Sequence, residues 1–156
     1  MNLLSNLLPL SNVELDFDAH DKRASLERAA LLFENNQGLS ALRIVECLMA
    51  REELGSTGLG KGVAIPHGRL RGLKRATAAI LRIKEPIEFG SPDGQPVRLL
   101  VVLLVPEHAT QQHLEILSEL AQMLSEPSMR EQLQTIAQPA ALLATVAAWE
   151  PIRPAA

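Results

Sequence analysis

Apart from its carboxylates, the chain has few side chains that could carry covalent or acid–base chemistry, namely four histidines and one cysteine, with no tyrosine. His67 is the most informative candidate, because it follows Pro66 and precedes Gly68 directly after the strand-like residues 63–65. Proline restricts the backbone and would orient the imidazole, while glycine leaves room for a large partner. Such an imidazole can act as a general base, a metal ligand or a nucleophile. The alternative is a surface histidine beside a tight turn.

His113 is the second candidate, and its position in a predicted helix suggests a role with anions. Thr110 is predicted to cap a helix that runs to about residue 126, which places His113 in the first helical turn. The free backbone N–H groups and the positive dipole end of that turn favour a nearby anion and a neutral imidazole. His113 could therefore donate to a phosphoryl oxygen. The alternative is a partly exposed polar residue without a role.

The remaining histidines and the cysteine are interpreted as solvated or structural. His20 and His108 are predicted to be exposed, and Cys47 is predicted to pack beside the apolar face of a helix. A single cysteine excludes an internal disulfide and a zinc site built from several cysteines. A zinc site of His108, His113 and Glu115 is conceivable, but their spacing matches no strong ligand motif. We therefore predict no metal and no cofactor.

Residues 55–62 contain four of the nine glycines of the chain, which invites comparison with a phosphate-binding loop. A nucleotide P-loop ends in Gly-Lys-Ser/Thr and leads into a helix, whereas this stretch lacks that ending and leads into a strand. Nucleotide binding is therefore weakly supported, and a flexible turn is predicted. The hydroxyl groups of Ser56 and Thr57 could still donate hydrogen bonds to an anion.

Hydrophobic periodicity predicts the elements that must position these residues. Alternation at Val13, Leu15 and Phe17 predicts a short strand, and the Val/Leu run over 97–105 predicts a strand covered on both faces. Helical spacing predicts one helix that ends at Gly38 and a second that Ser40 caps. Two further strands are predicted over 63–65 and 77–83, with a basic turn over 69–75 between them and an edge piece over 86–89. Three further helices are predicted: one over 110–126, one that begins with a capping box at Ser128 and Glu131, and one over 140–149. Helices around a few central strands indicate a single α/β domain.

Composition excludes several classes of protein. The 156 residues carry a formal net charge of −3, which argues against non-specific nucleic-acid binding because that requires a basic face. Aromatic residues make up 3% of the chain, so platforms for base stacking are not expected. No apolar run reaches the ~18 residues of a membrane span, and the N-terminus lacks a signal-peptide pattern. We expect a cytoplasmic protein that binds no nucleic acid and does not insert into membranes.

Two segments of the sequence resemble one family. The run from Arg51 to Arg69, with Ser-Thr-Gly-Leu-Gly followed by Ile-Pro-His-Gly, closely resembles the active-site segment of fructose/mannitol-type enzyme IIA domains. These domains belong to the bacterial phosphoenolpyruvate-dependent phosphotransferase system. Residues 103–106, followed by Gln-His-Leu at 112–114, resemble the second histidine segment of that family. The motifs are specific, because a strand that ends in Ile-Pro-His-Gly after Ser-Thr-Gly-x-Gly is seldom met elsewhere.

The resemblance extends over nearly the whole chain and implies its fold. It covers about residues 5–148, the expected IIA domain, and leaves 149–156 as a C-terminal tail. The family fold is a mixed β-sheet flanked by helices on both faces. Within the family, the chain is most similar to the stand-alone nitrogen-regulatory proteins. Lys61 stands where relatives often have Asn or Gln, and no role is inferred for it.

The resemblance also implies roles for five residues. His67 matches the histidine that accepts a phosphoryl group, and His113 matches the second histidine, which lies against the first and assists it. Arg51 matches an arginine that steadies phosphoryl oxygens. Ser56 and Thr57 match neighbouring hydroxyl residues, for which contact with the phosphoryl group is expected.

Partners follow from the same resemblance. The phosphoryl donor is expected to be a phosphohistidine on an HPr-like carrier protein. Because Leu59 and Leu70 lie beside the motif in the sequence, we expect them to form an apolar docking patch for it. The protein is expected to regulate nitrogen and potassium metabolism through its phosphorylation state, by contact with regulatory target proteins. The alternative is a sugar-specific IIA component that passes the phosphoryl group to a IIB protein for fructose/mannitol-type uptake.

Overall fold

A computed structural model describes residues 2–152, which form six strands, five α-helices and two short 3₁₀ helices. The strands are β1 (Val13–Phe17), β2 (Gly58–Gly60), β3 (Val63–Ala64), β4 (His67–Leu70), β5 (Thr77–Ile87) and β6 (Val97–Pro106). The helices are α1 (Lys22–Gln37), α2 (Ala41–Glu53), α3 (Thr110–Ser125), α4 (Pro127–Thr135) and α5 (Pro139–Ala148).

The strands form one mixed sheet. β1, β5, β6, β3 and β2 lie side by side in this order, and β4 also pairs with β6. β1 runs parallel to β5, and both β3 and β4 run parallel to β6. β5 is antiparallel to β6, and β2 is antiparallel to β3. The mixed sheet in an α/β domain is confirmed.

The buried strand β6 separates two apolar cores. Its side chains alternate, so that Leu99 and Val101 belong to the core that α3, α4 and α5 cover, while Leu100 and Val102 belong to the core that α1 and α2 cover. All four side chains are fully buried. The continuous Val/Leu run therefore marks a strand covered on both faces, as predicted, and helices flank both faces of the sheet.

Local sequence signals account for the end of α1 and the start of α2. Gly38 follows α1 with a φ of 71°, a left-handed conformation that glycine adopts without steric cost. The Ser40 hydroxyl accepts a hydrogen bond from Arg43 N at 3.4 Å at the start of α2. Both predicted boundaries are confirmed.

The predicted caps of α3 and α4 are wrong. Thr110 is the first residue of α3, which follows Ala109, and no side chain caps it. His113 N donates to the Ala109 carbonyl at 2.9 Å, so the helical hydrogen bonds already begin there. Residues 128–131 lie inside α4, because Pro127 occupies its first turn, where the N–H that proline lacks has no helical partner to lose.

Two short strands were not predicted. β2 lies within the glycine stretch that was predicted as a flexible turn, and β4 overlaps the predicted basic turn at 69–75. A Cβ added at Gly58 would lie 2.3 Å from Ser91 Oγ, so this glycine allows a close approach of two chain segments. The predicted edge piece at 86–89 is in part the end of β5, which reaches Ile87.

The last helix closes against the N-terminus. The Asn2 amide donates to the carbonyl of Trp149 at 2.7 Å, and the Trp149 indole donates to Glu126 Oε2 at 2.6 Å. Trp149 is therefore held on the domain, and the boundary between domain and tail stays a prediction. Residues 153–156 of the predicted tail lie outside the described part of the chain. No helix within 2–152 has the length and apolar character to cross a membrane.

Candidate active site

His67 lies where an interrupted strand resumes. β3 and β4 both run parallel to β6 and are separated by Ile65 and Pro66. Pro66 has no N–H for the strand ladder, but its carbonyl accepts a hydrogen bond from Leu103 N at 3.0 Å. The chain therefore keeps its direction across Pro66. His67 begins β4, opposite Leu103, instead of following the last residue of a strand, and it is partly exposed.

The first turn of α3 brings His113 against His67. β6 ends at Pro106, and the chain turns into α3 within four residues. The two imidazole centroids are 5.2 Å apart, with an angle of 64° between the ring planes. Edge-to-face contact at this separation is a favourable ring geometry. Two histidines that are distant in the sequence therefore form one site, in which His67 is partly exposed and His113 is buried.

A backbone carbonyl assigns the tautomer of His67. Nδ1 of His67 lies 2.7 Å from the Ile65 carbonyl oxygen. Because a carbonyl oxygen can only accept, Nδ1 must carry the proton, and Nε2 of the neutral ring keeps its lone pair. Burial lowers the pKa of His67, although the Ile65 carbonyl opposes this shift. The net shift is downward, so the neutral ring dominates near pH 7.

His113 is buried and its ring nitrogens are not satisfied by the protein. It is 8% exposed, and neither Nδ1 nor Nε2 has a hydrogen-bond partner among residues 2–152. An unsatisfied buried polar group costs about 1–3 kcal/mol. Burial lowers the pKa of His113, and the neighbouring His67 and the charges of Arg69 and Arg51 lower it further. The neutral ring therefore holds one donor and one acceptor without a protein partner beside His67.

Arg51 supplies positive charge beside both rings. It lies in the last turn of α2, and its Nη1 donates to the Gly55 carbonyl at 2.8 Å. No other hydrogen bond of its guanidinium is present in the described part of the chain, so donors remain for an anion. Its charge contributes to the lowered pKa of His67 and of His113. The structure therefore places the predicted Arg51 with both predicted histidines.

Ser56 and Thr57 lie in the loop between α2 and β2, and both hydroxyl groups are engaged. Ser56 Oγ donates to the Phe89 carbonyl at 2.8 Å and accepts from Gly58 N at 3.0 Å. Thr57 Oγ1 donates to a carboxylate oxygen of Glu52. Either hydroxyl would have to exchange its partner to donate to a phosphoryl group, so that contact stays a prediction.

Sequence reasoning missed two charged residues of this region. Arg69 lies on β4 two residues after His67, and its charge lowers the pKa of His113. Glu52 is 6% exposed although its neighbours along α2 are polar. Both residues lie in the segment that resembles the family. Their proximity to the histidines depends on the pairing of β4 and on the burial of one face of α2, which the sequence pattern does not display.

The other candidates lie outside the site. The side chains of His20 and His108 are 88% and 93% exposed, as predicted. Cys47 Sγ packs at α2 against β4, 3.3 Å from the Arg69 carbonyl, and burial raises the pKa of its thiol. This environment supports the interpretation that Cys47 has a packing role and not a chemical one. Residues 2–152 contain no group of three or more His, Cys, Asp or Glu side chains that could hold a metal ion.

Comparisons with known proteins identify the family of the chain. The sequence model of the family described as "Phosphoenolpyruvate-dependent sugar phosphotransferase system, EIIA 2" matches residues 6–149. A nitrogen regulatory protein of Pseudomonas aeruginosa is 46% identical over 114 residues, which are 73% of this chain and 74% of that protein. A fructose-specific EIIA component of Haloferax volcanii is 31% identical over 136 residues, which cover 83% of this chain and 85% of that protein.

A solved structure extends the similarity to the fold. The crystal structure of the nitrogen regulatory protein IIA-Ntr from Neisseria meningitidis superposes with a TM-score of 0.88 at 50% sequence identity. The match covers 93% of this chain and 99% of that one. The chain therefore belongs to the EIIA type 2 family of the phosphoenolpyruvate-dependent sugar phosphotransferase system, and it is similar to nitrogen regulatory proteins of that family.

Proposed function

We propose that His67 accepts a phosphoryl group from a phosphohistidine on an HPr-like carrier protein. The observation that carries this proposal is the hydrogen bond of His67 Nδ1 to the Ile65 carbonyl, because it leaves Nε2 as the free nucleophile. Nε2 forms a bond to phosphorus as the phosphorus–nitrogen bond of the carrier breaks. The electron pair of the broken bond returns to the carrier imidazole, whose other ring nitrogen carries a proton, so the carrier ring leaves neutral. The Nδ1 proton of His67 stays in its hydrogen bond to the Ile65 carbonyl.

The surroundings of Nε2 suit the charge that develops in this reaction. Phosphoryl transfer passes through a loose transition state whose charge is spread over the equatorial oxygens, so positioning and electrostatics dominate catalysis. The unengaged N–H groups of Arg51 and the one proton of a neutral His113 ring are donors for those oxygens. The first turn of α3 adds the positive end of a helix dipole beside His113.

Exposed leucines in the segments that carry the site residues offer an apolar surface to the carrier. Leu54 is 85% exposed, Leu59 is 47% exposed, and Leu114, which follows His113, is 58% exposed. Leu70, which was expected to join the docking patch, is 6% exposed and therefore unavailable. Transient complexes between signalling proteins bury small interfaces, which a small apolar surface matches.

The phosphorylation state of His67 is the proposed output, and the similarity to nitrogen regulatory proteins supports this role. A phosphoryl group adds about −1.5 to −2 charge at one point of the surface. A target protein in the cytoplasm that docks over unmodified His67 would be repelled by the modified form, which provides a means to regulate nitrogen and potassium metabolism. Under the alternative, which the fructose-specific relative supports, the phosphoryl group passes on to a IIB protein.

Intact mass tests the first step. The protein is incubated with phosphoenolpyruvate, enzyme I and an HPr-like carrier. Wild type is expected to gain one acid-labile phosphoryl group, and His67→Gln to gain none. Labelling that persists in His67→Gln would refute the assignment of His67. Addition of a IIB protein then separates the alternatives, because loss of the label to IIB indicates a transport component and retention indicates a regulator.

A further inference from the structure

We propose that Glu52 is a positioning residue that sets the tautomer and orientation of His67 through the backbones of Thr57 and Ile65. Three consecutive contacts connect the Glu52 carboxylate to the imidazole. The rate readout below rests on the proposed function, whereas the tautomer readout needs neither a carrier nor a phosphoryl donor.

The first contact is between Glu52 and Thr57. The side chain of Glu52 is 2% exposed. Its Oε1 accepts from Thr57 N at 3.2 Å, and its Oε2 accepts from the Thr57 hydroxyl. One carboxylate therefore holds both the backbone and the side chain of Thr57, which restricts this residue more than a single hydrogen bond would.

The next two contacts lead from Thr57 to the imidazole. The Thr57 carbonyl accepts from Ile65 N at 3.0 Å, next to the short β2–β3 pairing. The Ile65 carbonyl in turn accepts from His67 Nδ1 at 2.7 Å. Pro66 keeps Ile65 extended, so the position of Ile65 determines where its carbonyl points. A displacement of Thr57 would therefore move the acceptor that fixes the His67 tautomer.

The charge of Glu52 is balanced inside the protein. Lys22 Nζ donates to Glu52 Oε1 at 2.9 Å, and the same ammonium group lies 4.5 Å from the centroid of the Phe89 ring. The Phe89 carbonyl accepts from Ser56, the residue before Thr57. A buried carboxylate with a paired cation and three hydrogen bonds avoids the large cost of an isolated buried charge. It can therefore act as a fixed anchor.

Glu52 also acts on His67 through its charge. The groups that face His67 are Arg51 and Glu52 from α2 and His113 from α3. The Glu52 carboxylate raises the pKa of His67, whereas burial and Arg51 lower it. The hydrogen-bond geometry and the charge of Glu52 can therefore be separated, because Glu52→Gln can retain the hydrogen bonds and lacks the negative charge.

Three variants separate these contributions. In Glu52→Gln, the amide oxygen can accept from Thr57 N and Lys22, and the amide nitrogen can donate to the Thr57 hydroxyl. Glu52→Ala removes all three hydrogen bonds, and Glu53→Gln, at the exposed neighbouring position, is the matched control. The readouts are the ¹⁵N chemical shifts of the His67 ring against pH and the initial rate of phosphorylation by the HPr-like carrier.

Wild type and Glu53→Gln are expected to show the Nδ1–H tautomer with the same His67 pKa. Glu52→Gln is expected to keep this tautomer with a lowered pKa of His67 and a rate within about threefold of wild type. Glu52→Ala is expected to show mixed tautomers and a rate about tenfold lower, which corresponds to about 1.4 kcal/mol. If Glu52→Ala does not fold, Thr57→Val, which removes only the hydroxyl contact, is expected to shift the tautomer ratio in the same direction.

Retention of a pure Nδ1–H tautomer in Glu52→Ala, or in Thr57→Val if the alanine variant is unfolded, would overturn the positioning role. So would mixed tautomers in Glu52→Gln, because its hydrogen-bond geometry is preserved. An unchanged His67 pKa in Glu52→Gln would overturn the electrostatic part. Failure of wild type to accept phosphate would refute the proposed function and leave the tautomer result to decide this inference.

Discussion

Gly68→Ala is expected to destabilise the protein through one identifiable contact. A Cβ at Gly68 would lie 2.4 Å from Cys47 Sγ, whereas ordinary van der Waals contacts lie at 3.4–4 Å. The φ angle of Gly68 is not in the left-handed region, so the backbone accepts alanine without strain. The sulfur must therefore move by about 1 Å or more, and its contact with the Arg69 carbonyl at 3.3 Å is lost.

The size of the effect follows from the kind of atom that must move. Overpacking of a core costs about 1–3 kcal/mol, and the lower half of that range applies where a single side-chain atom can rotate away. We expect Gly68→Ala to lower the free energy of unfolding by about 1–2 kcal/mol. For a chain of this length, that change lowers Tm by about 2–8 °C.

A double-mutant cycle tests the cause by urea unfolding. Cys47→Ala removes the obstructing sulfur and by itself is expected to cost less than about 1 kcal/mol, since the side chain is partly exposed. In the double variant, Gly68→Ala should cost almost nothing more, which gives a coupling free energy of about 1–2 kcal/mol. Additive effects of the two substitutions would show that the contact between residues 47 and 68 is not the cause and would refute the reasoning.

Four further outcomes are expected. The phosphorylation rate should hold from pH 8 down to about pH 6.5 and fall only below that value, because the pKa of His67 is lowered and the neutral ring is the nucleophile; a decline that begins near pH 8 would contradict this. The lowered pKa values of His67 and His113 also affect stability: above about pH 6.5, these two histidines should not change the free energy of unfolding with pH. It should fall as pH drops further, since the unfolded chain then binds more protons. Arg51→Ala should slow phosphorylation at least about tenfold in a mass-based time course, and a rate within twofold of wild type would remove Arg51 from the site. Gly58→Ala should lower the free energy of unfolding in urea by about 2–3 kcal/mol, which is more than the effect of Gly68→Ala, because its Cβ would lie 3.0 Å from the backbone Cα of Ser91. An effect equal to or smaller than that of Gly68→Ala would contradict this account.

The main elements could be predicted because their signals are local. The continuous apolar run of β6 reports directly that both of its faces are buried. The alternation in β1 predicted the strand but not its faces, because a bulge between Leu15 and Phe17 places Phe17 in the opposite core from Val13. β2, which pairs with β3, is Gly-Leu-Gly, and β4, which pairs with β6, is His-Gly-Arg-Leu. Neither strand has an alternating apolar pattern, so both were missed. Tertiary context supplies those strands, and a sequence window does not contain it.

The residues of the site could be predicted from the sequence, but the contacts between them could not. His67 and His113 could each be assigned to an element, but their separation of 5.2 Å depends on how β4, β6 and α3 are arranged. Glu52 stands between Arg51 and Glu53, and such a charged triplet is typical of an exposed helix face. Its burial against the loop that contains Thr57 becomes visible only in the structure.

The position of the phosphoryl group on the imidazole is the most direct test of the central claim. Phosphorylated protein with ¹⁵N-labelled histidine would be examined by NMR for coupling between phosphorus and the ring nitrogens of His67. The hydrogen bond from Nδ1 to Ile65 predicts phosphorus on Nε2, with the Nδ1 proton still present. Phosphorus on Nδ1, or on another residue, would contradict the account.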